Sequence, residues 1–307
     1  MDLSVVVPTL NARDALVEAL DALAAHAPAA EVVVANGPSV DGTSGTVRSH
    51  DAVDVLLELS ERNLNAARNA GIAASSGNVV AFVGQDTQVR EAWTGAVADA
   101  VAGGADAVTG PVHRDVEGGV TTEAVERRTI SGRDVTFFDG GNVALTRDAL
   151  EELDGFDEYL QTGAARDAAH RLAGMGREVA WAPNVCVLRD ERDDIQHRLP
   201  EDTEESPWGL KYRALAYRLA KNYGATPRIA ARVFRHASGD AVSVGADVAR
   251  GDAELSEWAA AGAAVLPNLW RGGQDGLSAR VADRTPRRNP NGVSARMDRV
   301  HARHDGQ

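Results

Sequence analysis

The sequence predicts an α/β domain with a mostly parallel central sheet, followed by a helical C-terminal appendage. Three observations predict it. Short apolar runs alternate with amphipathic stretches over residues 1–190, the signature of strands joined through helices. Clusters of Gly, Pro, Asn and Asp follow several apolar runs, where a strand would give way to a loop. Beyond an acidic stretch the pattern becomes helical and rich in arginine.

The run Leu3 to Val7 reads as a buried strand ending at Pro8, and Ala15, Leu16, Ala19, Leu20 and Leu23 then recur at helical spacing. Glu31 to Val34 is a second strand, leading into the turn-forming cluster Asn36-Gly-Pro-Ser-Val-Asp41-Gly-Thr43. Residues 53–59 suit a third strand, 65–75 a helix, and Val79 to Val83 a fourth strand ending at Gly84-Gln85-Asp86. A helix over 91–102 and a strand at Ala107 to Thr109 follow, and 111–137 reads as polar and irregular. Phe137-Phe-Asp-Gly-Gly-Asn142 leads to a helix at 147–153, then a turn at Gly155-Phe-Asp-Glu158, a helix at 165–174 and a last strand at Val179 to Trp181. Residues 1–190 thus form one domain, 191–205 an acidic linker and 206–284 a helical region, basic and then mixed. Residues 285–307, with Pro286, Pro290 and few large apolar residues, are expected to be a mobile tail. Ligands in such sheets bind beyond the carboxyl ends of the strands. The loops at Pro8 to Asn11, Asn36 to Asp41 and Gly84 to Thr87 are therefore expected to share one crevice.

Composition bounds the function. The chain has 307 residues, 44% apolar and 25% charged, enough for a substantial core. The single Cys186 excludes an internal disulfide and a cysteine-based metal cluster. No apolar run reaches the roughly 18 residues that span a bilayer. The acidic start at Asp2 does not read as a signal peptide, so a cytoplasmic protein is expected. Net charge is −13, unevenly spread: residues 1–205 carry 16 basic and 36 acidic residues, whereas 206–239 carry seven basic residues and no acid. Lys211 and Lys221 are the only lysines. That composition is halophile-like, or reflects a GC-rich genome. So acidic a body repels phosphate backbones and argues against nucleic-acid binding.

Taken in order, the motifs of residues 1–190 resemble the family 2 glycosyltransferases of the GT-A fold. Ser4-Val-Val-Val-Pro8-Thr9-Leu-Asn11 is similar to the family's opening strand and loop, and Asn36 to Thr43 to its donor-nucleotide loop. Glu61 to Gly71, containing Arg68-Asn69, resembles its Arg-Asn-x-Gly helix start; Gly141-Asn142, Gly155 to Glu158, Gly163 and Arg171 resemble its acceptor half. The resemblance implies a GT-A-type nucleotide-sugar-binding fold, with Pro8, Thr9, Asn11, Asn36, Asp41, Arg68, Asn69, Asn142 and Arg166 near substrate.

Glycosyl transfer releases a negatively charged phosphate leaving group, which a divalent metal or fixed donors must neutralise. A hydroxyl acceptor must also lose a proton to a base. The family's Asp-x-Asp metal motif appears here as Gly84-Gln85-Asp86, which leaves Asp86 as the implied ligand for Mg or Mn. Its Gly-Glu-Asp-x-Asp base motif appears as Gly163-Ala164-Ala165-Arg166-Asp167, with alanine at both usual base positions. Asp167 is then the candidate base, with Asp157 and Glu158 as substitutes. Asp167 equally suits an i,i+4 pair with Arg171. Arg166 suits either a substrate phosphate or an exposed helix face. Asn36, Asp41 and Asp86 also suit plain turn or cap chemistry.

Trp208, Tyr212, Leu215, Leu219 and Tyr223 form one helical stripe flanked by basic residues. This suits an interfacial helix on an anionic membrane, or a helix packed on the protein's own acidic body. The reading that results is a glycosyltransferase at the cytoplasmic membrane face, using a nucleotide sugar and a lipid-linked or glycan acceptor. The alternative is a non-catalytic relative that binds a sugar nucleotide or glycan and partners another transferase. A nucleotidyltransferase is disfavoured, because no lysine precedes Lys211 to serve a phosphate loop.

Overall fold

The computed structural model describes residues 1–116, 119–121, 124–189, 206–250 and 255–306, so the expected acidic linker at 191–205 lies outside the described residues. The centre is a sheet in the order β12-β6-β11-β4-β1-β2-β3-β14. Its parallel heart is β1 (Leu3–Thr9), β2 (Glu31–Asn36), β3 (Val55–Leu59) and β4 (Val79–Val83). Val5, Val6 and Val7 of β1 are all fully buried. A strand covered on both faces needs a continuous apolar run rather than an alternating one.

β6 (Ala107–Thr109), β11 (Asn142–Thr146) and β12 (Val179–Trp181) extend one side of this sheet, with β11 antiparallel to both β4 and β6. On one face pack α1 (Arg13–His26), α2 (Thr43–Arg48) and α4 (Trp93–Ala102), through Leu16, Leu20, Val47 and Trp93. On the other pack α3 (Leu64–Ala74), α5 (Arg147–Leu153) and α6 (Ala164–Met175). Gly71 lets α3 lie close to the sheet: a Cβ there would sit 2.2 Å from Val6 Cγ1.

Residues 111–137 are not irregular. They contain β7 (Val112–Val116), β8 (Gly119–Thr121) and the hairpin β9 (Arg127–Ile130) and β10 (Arg133–Thr136). β7 and β8 share a second sheet with β5 (Thr87–Val89) and β13 (Val187–Arg189). Nor is Val179 to Trp181 the last strand. The segment expected to be a mobile tail contributes β14 (Val300–Asp305), antiparallel to β3. It covers an edge that would otherwise expose unpaired backbone groups.

The helical region is α7 (Pro207–Tyr223), α8 (Pro227–Arg250) and α9 (Leu255–Ala282). Ser206 caps α7 by accepting from Gly209 N at 3.1 Å. The stripe expected to face a membrane turns inward. Tyr212, Leu215 and Leu219 are buried in the core shared with Phe137, Phe156 and Ala168, and Trp208 and Tyr223 pack against it. Of the two expected partners for α7, the protein's own body takes this face. Among the described residues no helix is long and apolar enough to cross a membrane.

Candidate active site

The loops after β1, β2 and β4 do meet. Asn11 adopts the left-handed conformation, φ 48°, and its Oδ1 accepts from Val40 N at 2.8 Å. Asn36 donates from Nδ2 to Ser44 Oγ at 2.8 Å and accepts from Ser39 Oγ at 2.7 Å. Asp41 accepts from the backbone N–H groups of Arg13 and Thr43, both at 3.0 Å. Burial would raise its pKa, but these bonds and the Thr43 hydroxyl hold it below the usual carboxylate value. Asn36 and Asp41 thus shape the loop themselves. Gln85, in place of the missing first carboxylate, accepts from Thr9 Oγ1 at 3.0 Å and Leu10 N at 2.9 Å. It ties the β1 loop, with Pro8 and Thr9 at its root, to the β4 loop.

Asp86 lies beyond β4, 2% exposed, and accepts from Thr87 Oγ1 at 3.0 Å. Arg189, at the end of β13, stands 3.6 Å from Asp86 and donates twice to Asp139, at 2.8 and 3.0 Å. Burial works against the ionised Asp139 carboxyl, but Arg189 and the Gly141 amide hold its pKa down to about 2. Neither Asp139 nor Arg189 was assigned a role from the sequence. Asp139 lies within Phe137-Phe-Asp-Gly-Gly-Asn142, whereas Arg189 reaches the site through the second sheet. Among the described residues no three His, Cys, Asp or Glu side chains converge as a metal cage. A magnesium-type ion, however, is held through one or two carboxylates plus substrate phosphates and water. Asp86, with Asp139 across Arg189, fits that donor set.

The three candidate bases have other work. Asp167 is fully buried and accepts from Arg171 Nε at 2.8 Å, Lys221 Nζ at 2.7 Å and Asn222 Nδ2 at 2.9 Å. Asp157 is equally buried and accepts from Lys221 Nζ at 2.5 Å, the Tyr217 hydroxyl at 2.7 Å and Asn291 Nδ2 at 2.9 Å. Glu158 accepts from Asn69, Arg296 and Arg299 at 2.7, 2.8 and 2.5 Å. These carboxylates fasten α7 and the C-terminal segment to the domain.

Two candidate binding residues are likewise buried and hydrogen-bonded within the domain. Asn142 is fully buried, accepting from Trp93 Nε1 at 3.1 Å and donating to the Val185 carbonyl at 2.9 Å. Asn69, also fully buried, exchanges bonds of 2.8 and 2.9 Å with the Phe156 backbone. Arg68 remains beside the crevice: it donates to the Gly140 carbonyl at 3.1 Å, and its charge reaches Asp139. Arg166 pairs with Glu126 at 2.6 Å and stacks over Phe137, facing a separate cavity.

A doubly covered, mainly parallel sheet with a crevice at its carboxyl ends, holding Asp86 3.6 Å from Arg189, has the architecture of the GT-A fold. Residues 4–154, about half of the chain, match the family model "Glycosyl transferase family 2", which supports a family 2 glycosyltransferase. It is similar to Glycosyltransferase AglE of Haloferax volcanii, 27% identical over 205 residues, covering 62% of this chain and 67% of that one. A Pre-mycofactocin glycosyltransferase of Mycobacterium tuberculosis is 24% identical over 163 residues, 49% of this chain and 35% of the relative's own length. Among solved structures, S. aureus TarS 1–349 in complex with UDP-GlcNAc superposes with a TM-score of 0.60, 18% identity and 92% of each chain covered. Mannosyltransferase PcManGT from Pyrobaculum calidifontis, in complex with GDP-Man and Mn2+, superposes at 0.55 with 21% identity, covering 91% of this chain and 86% of that one.

Proposed function

We propose that this chain transfers a sugar from a nucleotide-activated donor to a lipid-linked or glycan acceptor. The observation that carries the reading is the convergence of three strand-end loops on Asp86, Asp139, Arg189 and Arg68. The nucleotide lies against the loops at Asn11 and Asn36 to Asp41, and the diphosphate points toward Asp86. Cleavage of the sugar–phosphate bond leaves charge on the departing diphosphate, and Arg189 and Arg68 oppose it from fixed positions. A divalent ion, when bound, is held by Asp86 and supplies Lewis-acid stabilisation of that charge; the Mn2+ bound with GDP-Man in PcManGT supports this.

Contact with an anionic membrane surface at the cytoplasmic face is part of the same proposal, though not through the α7 stripe. Phe234, Val242, Leu266 and Trp270 on α8 and α9 are 69–74% exposed, and Arg228 and Arg235 share α8 with two of them. Sedimentation with anionic vesicles should follow, and its absence at every salt at which the chain stays folded would remove the membrane element.

A second reading is favoured by the engagement of Asp157, Glu158 and Asp167: a non-catalytic relative that binds a sugar nucleotide. The test is a panel of nucleotide sugars with magnesium or manganese and mixed acceptors. Donor-dependent product supports the transferase, and donor binding without transfer or hydrolysis supports the second reading.

A further inference from the structure

Among the described residues arginine gathers at two places, and the charge balance differs between them. Arg128, Arg166, Arg218, Arg232 and Arg235 line a cavity of about 420 Å3 between the domain and the helical region, against the carboxylate of Glu126. In the donor crevice, Arg68 and Arg189 stand against Asp86 and Asp139, and the charges of these four groups sum to zero. A pair of carboxylates alone would leave two negative charges for a divalent ion to neutralise. Here the protein's own side chains already meet that charge.

Arg189 is built into its position. It ends β13 and lies opposite Thr87 in the antiparallel pairing with β5, so strand register delivers its side chain beside Asp86. Its guanidinium donates to both oxygens of Asp139, at 2.8 and 3.0 Å, a fork geometry that fits a carboxylate. Two glycines make room for the cluster. A Cβ on Gly141 would lie 3.1 Å from Arg189 Nη2, and one on Gly84 would lie 2.8 Å from Asp86 Oδ1. Gly84 N donates to the Gly141 carbonyl at 3.1 Å, which fixes the two loops against each other. Arg189 Nε stands 3.6 Å from Asp86 Oδ1, too long for a hydrogen bond. It is a charge contact, which an incoming ion can break without unseating Arg189 from Asp139. A magnesium-type ion binds a carboxylate oxygen at about 2.1 Å, so an ion on Asp86 Oδ1 would lie within about 6 Å of Arg189 Nε. Like charges that close in a largely buried site repel.

We propose that Arg189 is the resident cation of the donor site and competes with a divalent ion at Asp86. Arg189 holds the diphosphate of a nucleoside diphosphate without metal. Asp86 takes up a divalent ion together with the diphosphate rather than before it, because the diphosphate supplies the excess negative charge that the four side chains lack. This rests on the donor-site reading above and extends it to what neutralises the diphosphate.

The test needs no turnover. Mn2+ binding is followed by electron paramagnetic resonance, and binding of UDP, GDP, ADP, CDP and dTDP by calorimetry, in Mn2+ or in EDTA. The parent protein should bind at least one nucleotide in EDTA within about tenfold of its affinity in Mn2+. Arg189→Gln should weaken that nucleotide by roughly tenfold in EDTA and by less in saturating Mn2+. It should also bind Mn2+ alone about tenfold more tightly than the parent. Arg189→Lys keeps the charge without the fork and should retain part of the binding in EDTA. Melting curves verify that each variant folds, and the parent's comparison of EDTA with Mn2+ needs no variant. Mn2+ affinity unchanged or weakened in folded Arg189→Gln, or parental nucleotide binding that is lost in EDTA, would overturn the proposal. Nucleotide binding in EDTA that Arg189→Gln leaves intact would overturn it while upholding the donor crevice. Binding of no nucleotide in either condition would overturn the donor-site reading, and the diphosphate role of Arg189 with it.

Discussion

Asp167 and His170 sit one helical turn apart on α6, and both tie stability to pH. Burial disfavours the Asp167 carboxylate, but Lys221 and Arg171 outweigh it and hold its pKa down to about 2 from 3.8. Its stabilisation is therefore complete above about pH 4 and is lost as pH falls toward 2. Asp167→Asn should cost about 3–5 kcal/mol, because two buried cations lose their shared carboxylate. Donor affinity per folded molecule should not change; a selective loss of turnover at parental stability would restore Asp167 as a base. His170 works at higher pH. Its folded pKa of about 3 lies below the ordinary 6.5, so the unfolded chain binds a proton that the folded chain refuses. Stability should fall as pH drops from 6.5 toward 3. Urea midpoints of His170→Gln should show a flatter profile there, and an unchanged profile would contradict the assignment. Asp86→Ala should lower donor binding when a divalent ion is present and change it little without one. Equal metal-dependent binding by calorimetry would end its role. Asp86 was legible because it follows an unmistakable apolar strand. The burial of Asp167 was not, because its main partner, Lys221, lies 54 residues away.

The elements that escaped the sequence share a cause. β9 and β14 are polar strands with mostly exposed side chains, so no apolar alternation marks them. By contrast, β1 and β4, buried along their whole length, are plain in the sequence. The C-terminal segment looked like a tail because its anchors are charged: Arg296 and Arg299 hold Glu158. Deleting residues 296–307 should lower the melting temperature and promote association through the bared edge of β3. Retention of parental stability would show the segment to be dispensable. The α7 stripe was legible, but its partner was not. Reversing Lys211, Arg218 and Lys221 to glutamate should lower the melting temperature, because Lys221 is buried between Asp157 and Asp167. An unchanged melting temperature would contradict that packing.

At the scale of the molecule, charge is segregated for a reason. An acidic domain and a basic helical region meet at buried ion pairs, and the excess arginine collects around the cavity between them. The parallel strands gather the loops at Asn11, Asn36 to Asp41 and Asp86, and the added helices help to line the basic cavity. The strand-and-loop order made the first half readable from sequence. The second half depended on contacts between residues 126–170 and 215–236, which no local pattern records. A crystal structure with a nucleotide sugar and Mn2+ tests the placement of the donor most directly. The nucleotide should lie against the Asn11 and Asn36 to Asp41 loops, with its diphosphate beside Asp86 and Arg189. A nucleotide seated in the arginine-lined cavity, or diphosphate and metal remote from Asp86, would contradict it.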